Sequence, residues 1–191
     1  MKYISIFCGS ASGSDKIFAE QATLLGKTIA QKGYGIVYGG AHVGLMGYVA
    51  NGALSEGGEV IGVIPEFLKS KELEHTNLTE IHIVETMHQR KALMNEISDG
   101  VIALAGGYGT LDELFEMLTW AQLALHKKPI AVLNTNGYYD PLITMSKTMI
   151  KNGFLKNEYL DLLLIDANIG SLLKKMEDYI PPANDKWFEV K

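Results

Sequence analysis

The stretch Gly106-Gly107-Tyr108-Gly109-Thr110-Leu111-Asp112-Glu113 sets a carboxylate a few residues after a run of glycines. Glycines let a backbone turn tightly and come close to a ligand. A helix that starts there offers N–H groups with no carbonyl partner, and such groups bind anions. Glu113 then has two readings. Thr110-Leu111-Asp112-Glu113 fits a capping box, in which Glu113 only secures its own helix start. An acid in the first turns also gains roughly 0.3–1 kcal/mol from the helix dipole without any catalytic role. In the other reading a phosphate occupies the helix start and repels the carboxylate. Glu113 would then turn toward another part of the ligand, such as a sugar hydroxyl or an attacking water.

A second candidate is cationic. Met87-His88-Gln89-Arg90-Lys91-Ala92-Leu93-Met94-Asn95-Glu96-Ile97 follows Thr86-x-x-Gln89, another capping-box pattern. At about 100° per residue, Arg90 falls between Met87 and Met94 on one side and Leu93 and Ile97 on the other. It therefore sits near the middle of an apolar stripe, where a charge needs a partner. It either snorkels or pairs with a core carboxylate, or it faces a cleft and meets an anionic ligand. Lys91 lies about 100° further round, at the edge of the same site or in solvent.

These side chains need a frame. Short apolar runs read as strands near Lys2–Cys8, Gly35–Tyr38, Val60–Ile64, Ile81–Val84, Gly100–Leu104, Ile130–Asn134 and Leu162–Ile165. Periodic segments read as helices near Asp15–Lys32, Gly44–Ser55, Met87–Ser98, Leu111–His126, Tyr139–Asn152 and Ile169–Tyr179. Strict alternation of the two predicts an α/β fold with a mostly parallel sheet of about seven strands, a Rossmann-like three-layer arrangement. The helix after Thr110 is apolar on nearly every face, which predicts burial on most sides, within the chain or in a dimer. Ligands of open α/β sheets bind beyond the carboxyl ends of the strands. Three glycine-bearing loops fall there, after the first, second and fifth strands. Gly9, Ser10, Gly39 and Gly40 thus join Gly107–Thr110 as possible contacts.

Composition narrows the chemistry. The 191 residues suit one domain spanning 1–191, with a polar tail from about 181. A net charge of −5 and the lack of a basic stripe argue against nucleic acid. No apolar run reaches the length of a membrane span, and the N-terminus has no signal-peptide pattern. Cys8 is the only cysteine, so a disulfide-free, cytoplasmic protein is expected. The five histidines show no metal-ligand spacing, so no metal and no cofactor is expected. The glycine loops match neither a full dinucleotide fingerprint nor a nucleoside-triphosphate loop, and there is no Gly-x-Ser-x-Gly elbow.

Taken together, Met87-His88-Gln89-Arg90-Lys91 and Gly106-Gly107-Tyr108-Gly109-Thr110-Leu111-Asp112-Glu113 resemble the paired signature of the Lonely Guy family, the cytokinin riboside 5′-monophosphate phosphoribohydrolases. Phe7-Cys8-Gly9-Ser10, Val37-Tyr38-Gly39-Gly40, Gly44-Leu45-Met46-Gly47 and Thr119-Trp120-Ala121-Gln122-Leu123 add to the likeness, which spans roughly residues 3–155. One departure is Ala105, where the family pattern usually has proline before the glycine pair; the loop loses rigidity but no functional side chain. The resemblance implies a homodimer that cleaves the N-glycosidic bond of a nucleoside 5′-monophosphate to a free base and ribose 5-phosphate. Carried over residue by residue, it implies Arg90 and Glu113 as the catalytic pair. It implies Glu72, Lys91, Gly107, Tyr108, Gly109, Thr110, Leu111, Asp112 and Thr119 as substrate contacts. A non-catalytic nucleotide or cofactor carrier on the same fold is the alternative.

Overall fold

The computed structural model describes residues 1–69 and 75–182. Its strands are β1 (Tyr3–Phe7), β2 (Gly35–Tyr38), β3 (Val60–Pro65), β4 (Glu80–Val84), β5 (Gly100–Ala103), β6 (Ile130–Leu133) and β7 (Leu163–Asp166). All pair in parallel, in the order β4-β3-β2-β1-β5-β6-β7. The central strands are buried on both faces, which is why they read as unbroken apolar runs. The helices are α1 (Lys16–Gln31), α2 (Gly44–Ser55), α3 (Glu66–Lys69), α4 (Met87–Ile97), α5 (Tyr108–Gln122), α6 (Asp140–Lys151) and α7 (Ile169–Glu177). One face of the sheet packs Ile4, Ile6, Ile36 and Tyr38 against α1, α2 and α7. The other packs Phe7, Val37, Val101 and Val132 with Met94, Leu114 and Met117 of α4 and α5. The chain winds outward from β1 to β4, returns to β5 beside β1, and winds the other way. That reversal leaves a crevice at the carboxyl ends of β1 and β5. Among the described residues no helix is long and apolar enough to cross a membrane.

Two expectations for α5 are corrected. It starts at Tyr108, with Gly107 in the N-cap position and no side-chain cap bond. Thr110-x-x-Glu113 is therefore not a capping box: Thr110 lies inside the first turn and is buried against Gly106. A Cβ on Gly106 would come within 2.1 Å of the Thr110 hydroxyl, so the glycine admits the threonine. The helix also stops at Gln122, short of His126. Ala124 adopts a left-handed φ of 60°, and the Ala124 and Leu125 N–H groups donate back to the Ala121 and Trp120 carbonyls. This closes a Schellman-type end on an alanine, with no glycine to announce it. Within the single chain, α5 buries one face. Thr110, Leu114, Met117 and Ala121 face the core, whereas Phe115 is 38% exposed on the outer side. Phe115 and Leu118 there line an apolar hollow with Ile143 and Met149 of α6 and with Leu155, Tyr159 and Leu160.

Candidate active site

Three loops meet over the carboxyl ends of β1, β2 and β5, and backbone hydrogen bonds tie them together. The Gly9 N–H donates to the Ala105 carbonyl and the Leu45 N–H to that of Gly9, each at 3.0 Å. The His75 N–H donates to the Gly40 carbonyl, also at 3.0 Å. The crevice between them is lined by Gly9, Ser10, Gly39, Arg90, Gly107–Thr110 and Glu113, with Ile6, Cys8, Met46, Leu68, Met87 and Met94 forming its apolar side. A Cβ on Gly107 or Gly109 would meet no protein atom within 4 Å, so the backbone of the α5 start is open to close approach. Its first N–H groups have no preceding turn to donate to.

Arg90 is held from below. The Thr86–Gln89 capping box forms as expected: the Gln89 N–H donates to Thr86 Oγ1, and Gln89 Oε1 accepts from the Thr86 N–H, both at 3.1 Å. This fixes the first turn of α4, from which Arg90 projects and is only 5% exposed. Its Nη2 donates to the Gly39 carbonyl at 3.2 Å, and Nη1 sits 3.9 Å from Met87 Sδ. A Cβ on Gly39 would lie 2.0 Å from Nη2. Gly39 is thus a glycine because the guanidinium lies where a side chain would start. Of the three acids on the early turns of α5, only Glu113 lines this crevice. Glu116 accepts from the Lys91 ammonium at 3.1 Å, and Asp112 does so at 3.0 Å. Burial works against the charge on Lys91, but these hydrogen bonds outweigh it and the net shift of its pKa is upward. Lys91 thus spends its donors on joining α4 to α5.

The Cys8 thiol on the crevice floor is pushed far up, first by burial and then by the Glu113 charge, with Arg90 opposing. It is a protonated apolar lining group. His75 supports the β2–α2 loop from behind. It is buried, its Nε2 lies 3.0 Å from Asn51 Oδ1, and its Nδ1 accepts from the Asn77 N–H. That pattern needs a neutral ring, and burial followed by the charge of His42 lowers its pKa. Because the folded value lies below the unfolded one, stability is full above the ordinary histidine value of about 6.5 and is lost as pH falls through the folded pKa. The melting temperature should therefore fall as pH drops below about 6.5, and His75→Asn, which keeps an acceptor for Asn77, should flatten that part of the profile. An unchanged slope in the variant would remove this role from His75.

The crevice thus brings together Arg90, Glu113, Gly107, Tyr108, Gly109, Thr110, Gly9, Ser10 and Gly39. Gly40, Lys91, Leu111 and Asp112 lie beside it and not on its lining. Thr119 is on the exposed side of α5, its hydroxyl donating to the Phe115 carbonyl at 2.7 Å. Glu72 lies outside the described residues. Sequence reasoning missed the apolar side. Met87 and Met94 carried a signal, since they flank Arg90 on its own stripe, and Met46 sat in a noted glycine stretch. Leu68 carried none, because a short helix after β3 delivers it from a distant part of the chain.

Comparison with known proteins gives the family of the chain. Residues 46–176 match a family model described as "Possible lysine decarboxylase". The chain is 49% identical over 155 residues to a cytokinin riboside 5′-monophosphate phosphoribohydrolase of Rhodococcoides fascians, covering 81% of this chain and 78% of that protein. It is 44% identical over 176 residues to a probable enzyme of the same name from Oryza sativa subsp. japonica, covering 92% and 79%. A molybdenum cofactor binding protein from Rippkaea orientalis shares the fold, with a TM-score of 0.69 at 20% identity over 93% of this chain and 96% of that one. At that identity the last likeness concerns architecture alone. The two relatives match over most of their own length as well as this chain's, and the paired motifs of Arg90 and Glu113 converge on one crevice. The chain belongs to the cytokinin riboside 5′-monophosphate phosphoribohydrolase family, known through its family model as the possible lysine decarboxylases.

Proposed function

We propose that this chain is a hydrolase that cleaves the N-glycosidic bond of a cytokinin-type nucleoside 5′-monophosphate. The products are a free adenine-type base and ribose 5-phosphate. The observation that carries this reading is the convergence of an open helix start, one carboxylate and one buried guanidinium on a single crevice. Backbone N–H groups of Gly107–Thr110 hold the 5′-phosphate at the start of α5. Glu113, a turn and a half further on, faces the sugar. Water adds at C1′ as the bond to the base nitrogen breaks, and that electron pair leaves with the base. Glu113 orients the water, accepts its proton and stabilises the oxocarbenium-like charge at C1′; the departing base takes up a proton from solvent, and Glu113 returns its own proton to solvent. Arg90 offers charge-assisted donors from a fixed position and balances the anionic groups around it. Glu72 and Thr119 complete the substrate contacts. Ser10 and Gly9 border the same pocket.

The chain acts as one nucleotide-binding domain in the cytoplasm, and as a homodimer. The half-exposed apolar side of α5, with the hollow it shares with α6, supports the dimer. Thr119, on the exposed side of α5 and off the crevice lining, would then meet the nucleotide held by the partner chain. The lysine decarboxylase description fits the cleft poorly: its lining among the described residues includes no lysine, and Lys91 is committed to two carboxylates.

Incubation of the protein with AMP and, separately, with isopentenyladenosine 5′-monophosphate, followed by chromatography, should yield free base and ribose 5-phosphate. Preference between the two follows from their relative kcat/KM. Tight binding of both without turnover would replace the enzyme with a carrier. Light scattering should give a mass of two chains.

A further inference from the structure

The sequence Asn134-Thr135-Asn136-Gly137-Tyr138-Tyr139 takes no part in the crevice, yet it reaches the loop on which phosphate binding depends. Asn136 and Gly137 adopt left-handed φ values of 52° and 70°. Asn134 closes the turn, accepting from the Tyr139 N–H at 2.7 Å and donating to Asp140 at 2.8 Å. The turn delivers two consecutive tyrosines, packed edge to face at 5.2 Å between ring centres. The Tyr139 hydroxyl donates to the Leu104 carbonyl at 2.6 Å, and the Tyr138 hydroxyl to the Gly106 carbonyl at 2.5 Å. Between them the Ala105 carbonyl accepts from Gly9. Three successive carbonyls leading into Gly107 are therefore held from outside the loop, in a segment whose Ala105 has no ring to restrict its φ.

We propose that Tyr138 and Tyr139 are positioning residues that preset the phosphate-binding backbone of this enzyme. The inference rests on the reading of the crevice as a phosphate site. The peptide group is planar and trans, so fixing the Gly106 carbonyl also fixes the opposed N–H of Gly107, the N-cap of α5. A hydrogen bond to that carbonyl also polarises the same peptide and makes its N–H a better donor. Tyr139 is almost fully buried, and burial pushes its hydroxyl well above the usual tyrosine range, so it stays a donor. Tyr138 packs its ring edge to face on Phe18 at 5.9 Å, which holds its hydroxyl in place while the residue stays 42% exposed.

Tyr138→Phe removes one hydroxyl and keeps both ring contacts, and its exposure makes it the variant of choice for folding. Calorimetric titration with ribose 5-phosphate should show a Kd raised about 3–10-fold, the range for one lost hydrogen bond. KM for the nucleoside monophosphate should rise in parallel, with kcat within about twofold of wild type and melting temperature unchanged. Tyr138→Phe/Tyr139→Phe should weaken binding further. A Kd within twofold of wild type in both variants overturns the proposal. So does a fall in melting temperature and kcat at constant Kd, which would mark a purely structural contact. A wild type that binds ribose 5-phosphate without hydrolysing nucleotide refutes the hydrolase reading but leaves the effect of Tyr138→Phe on Kd to decide this one. A wild type that releases free base but does not bind ribose 5-phosphate overturns this proposal and leaves the hydrolase reading in place.

Discussion

Glu113→Gln leaves the chain folded and lowers the rate of base release about 10²–10⁴-fold, the range for removing one positioned acid or base. The substitution preserves side-chain size and hydrogen-bonding reach while removing the negative charge. Glu113 lies in the second turn of α5 and is not the capping residue of that helix, since the helix begins at Gly107 and Tyr108. Its loss therefore breaks no helix end, and thermal melting should move by no more than a few degrees. Binding of ribose 5-phosphate should persist, because the backbone donors of Gly107–Thr110 are untouched. The informative control is Glu116→Gln. Glu116 is the neighbouring acid, already bound to Lys91. Its variant should retain turnover within about tenfold, since exposed or part-exposed ion pairs contribute little. Full activity in Glu113→Gln, measured as free base released per enzyme, would sink the role assigned to this carboxylate.

Arg90→Met should cost about 10²–10³-fold in kcat, the magnitude seen when a preorganised donor is removed from a water-poor site. Methionine matches the stem of arginine and suits a position already flanked by Met46, Met87 and Met94. The substitution leaves the buried Gly39 carbonyl without its donor, so melting temperature should fall by a few degrees while the protein stays folded. A folded protein whose turnover falls far more than its stability separates a functional arginine from a structural one. Arg90→Lys should not restore activity. The planar guanidinium donates to the Gly39 carbonyl from one arm of a rigid fork of donors, whereas an ammonium is a compact point charge. A Lys variant within tenfold of wild type, or an Arg90→Met protein that is unfolded, would show that position 90 serves the fold alone.

The alternation of strands and helices was legible because each element's apolar period follows from local backbone geometry. Every strand and every long helix lies where that period puts it, within a few residues. The exceptions are at α5. Its first turn carries Tyr108 and Gly109, neither a helix-start signal, and its end is closed by Ala124 in a conformation usually left to glycine. The short helix α3 was illegible for the same reason that Leu68 was: four residues are too few for a period to show. Arg90 was conspicuous because a charge on an apolar stripe violates the pattern. Glu113 was ambiguous because a capping role satisfied every local rule.

The sequence by itself determined the layered α/β plan, the three glycine loops on one sheet edge, and the pairing of an arginine motif with a glycine-rich helix start. Those depend on residue types and spacing, which are written along the chain. Only the tertiary structure decided which acid lines the crevice. Lys91 reaches across from α4 to take Asp112 and Glu116, and Glu113 is left on the crevice. It also showed why Gly39 has no side chain, since Arg90, 51 residues away, occupies that space. And it brought the hydroxyls of Tyr138 and Tyr139 onto the loop before α5. Each of these is a contact between segments distant in sequence, and such contacts have no period to read; they exist only once the sheet has closed.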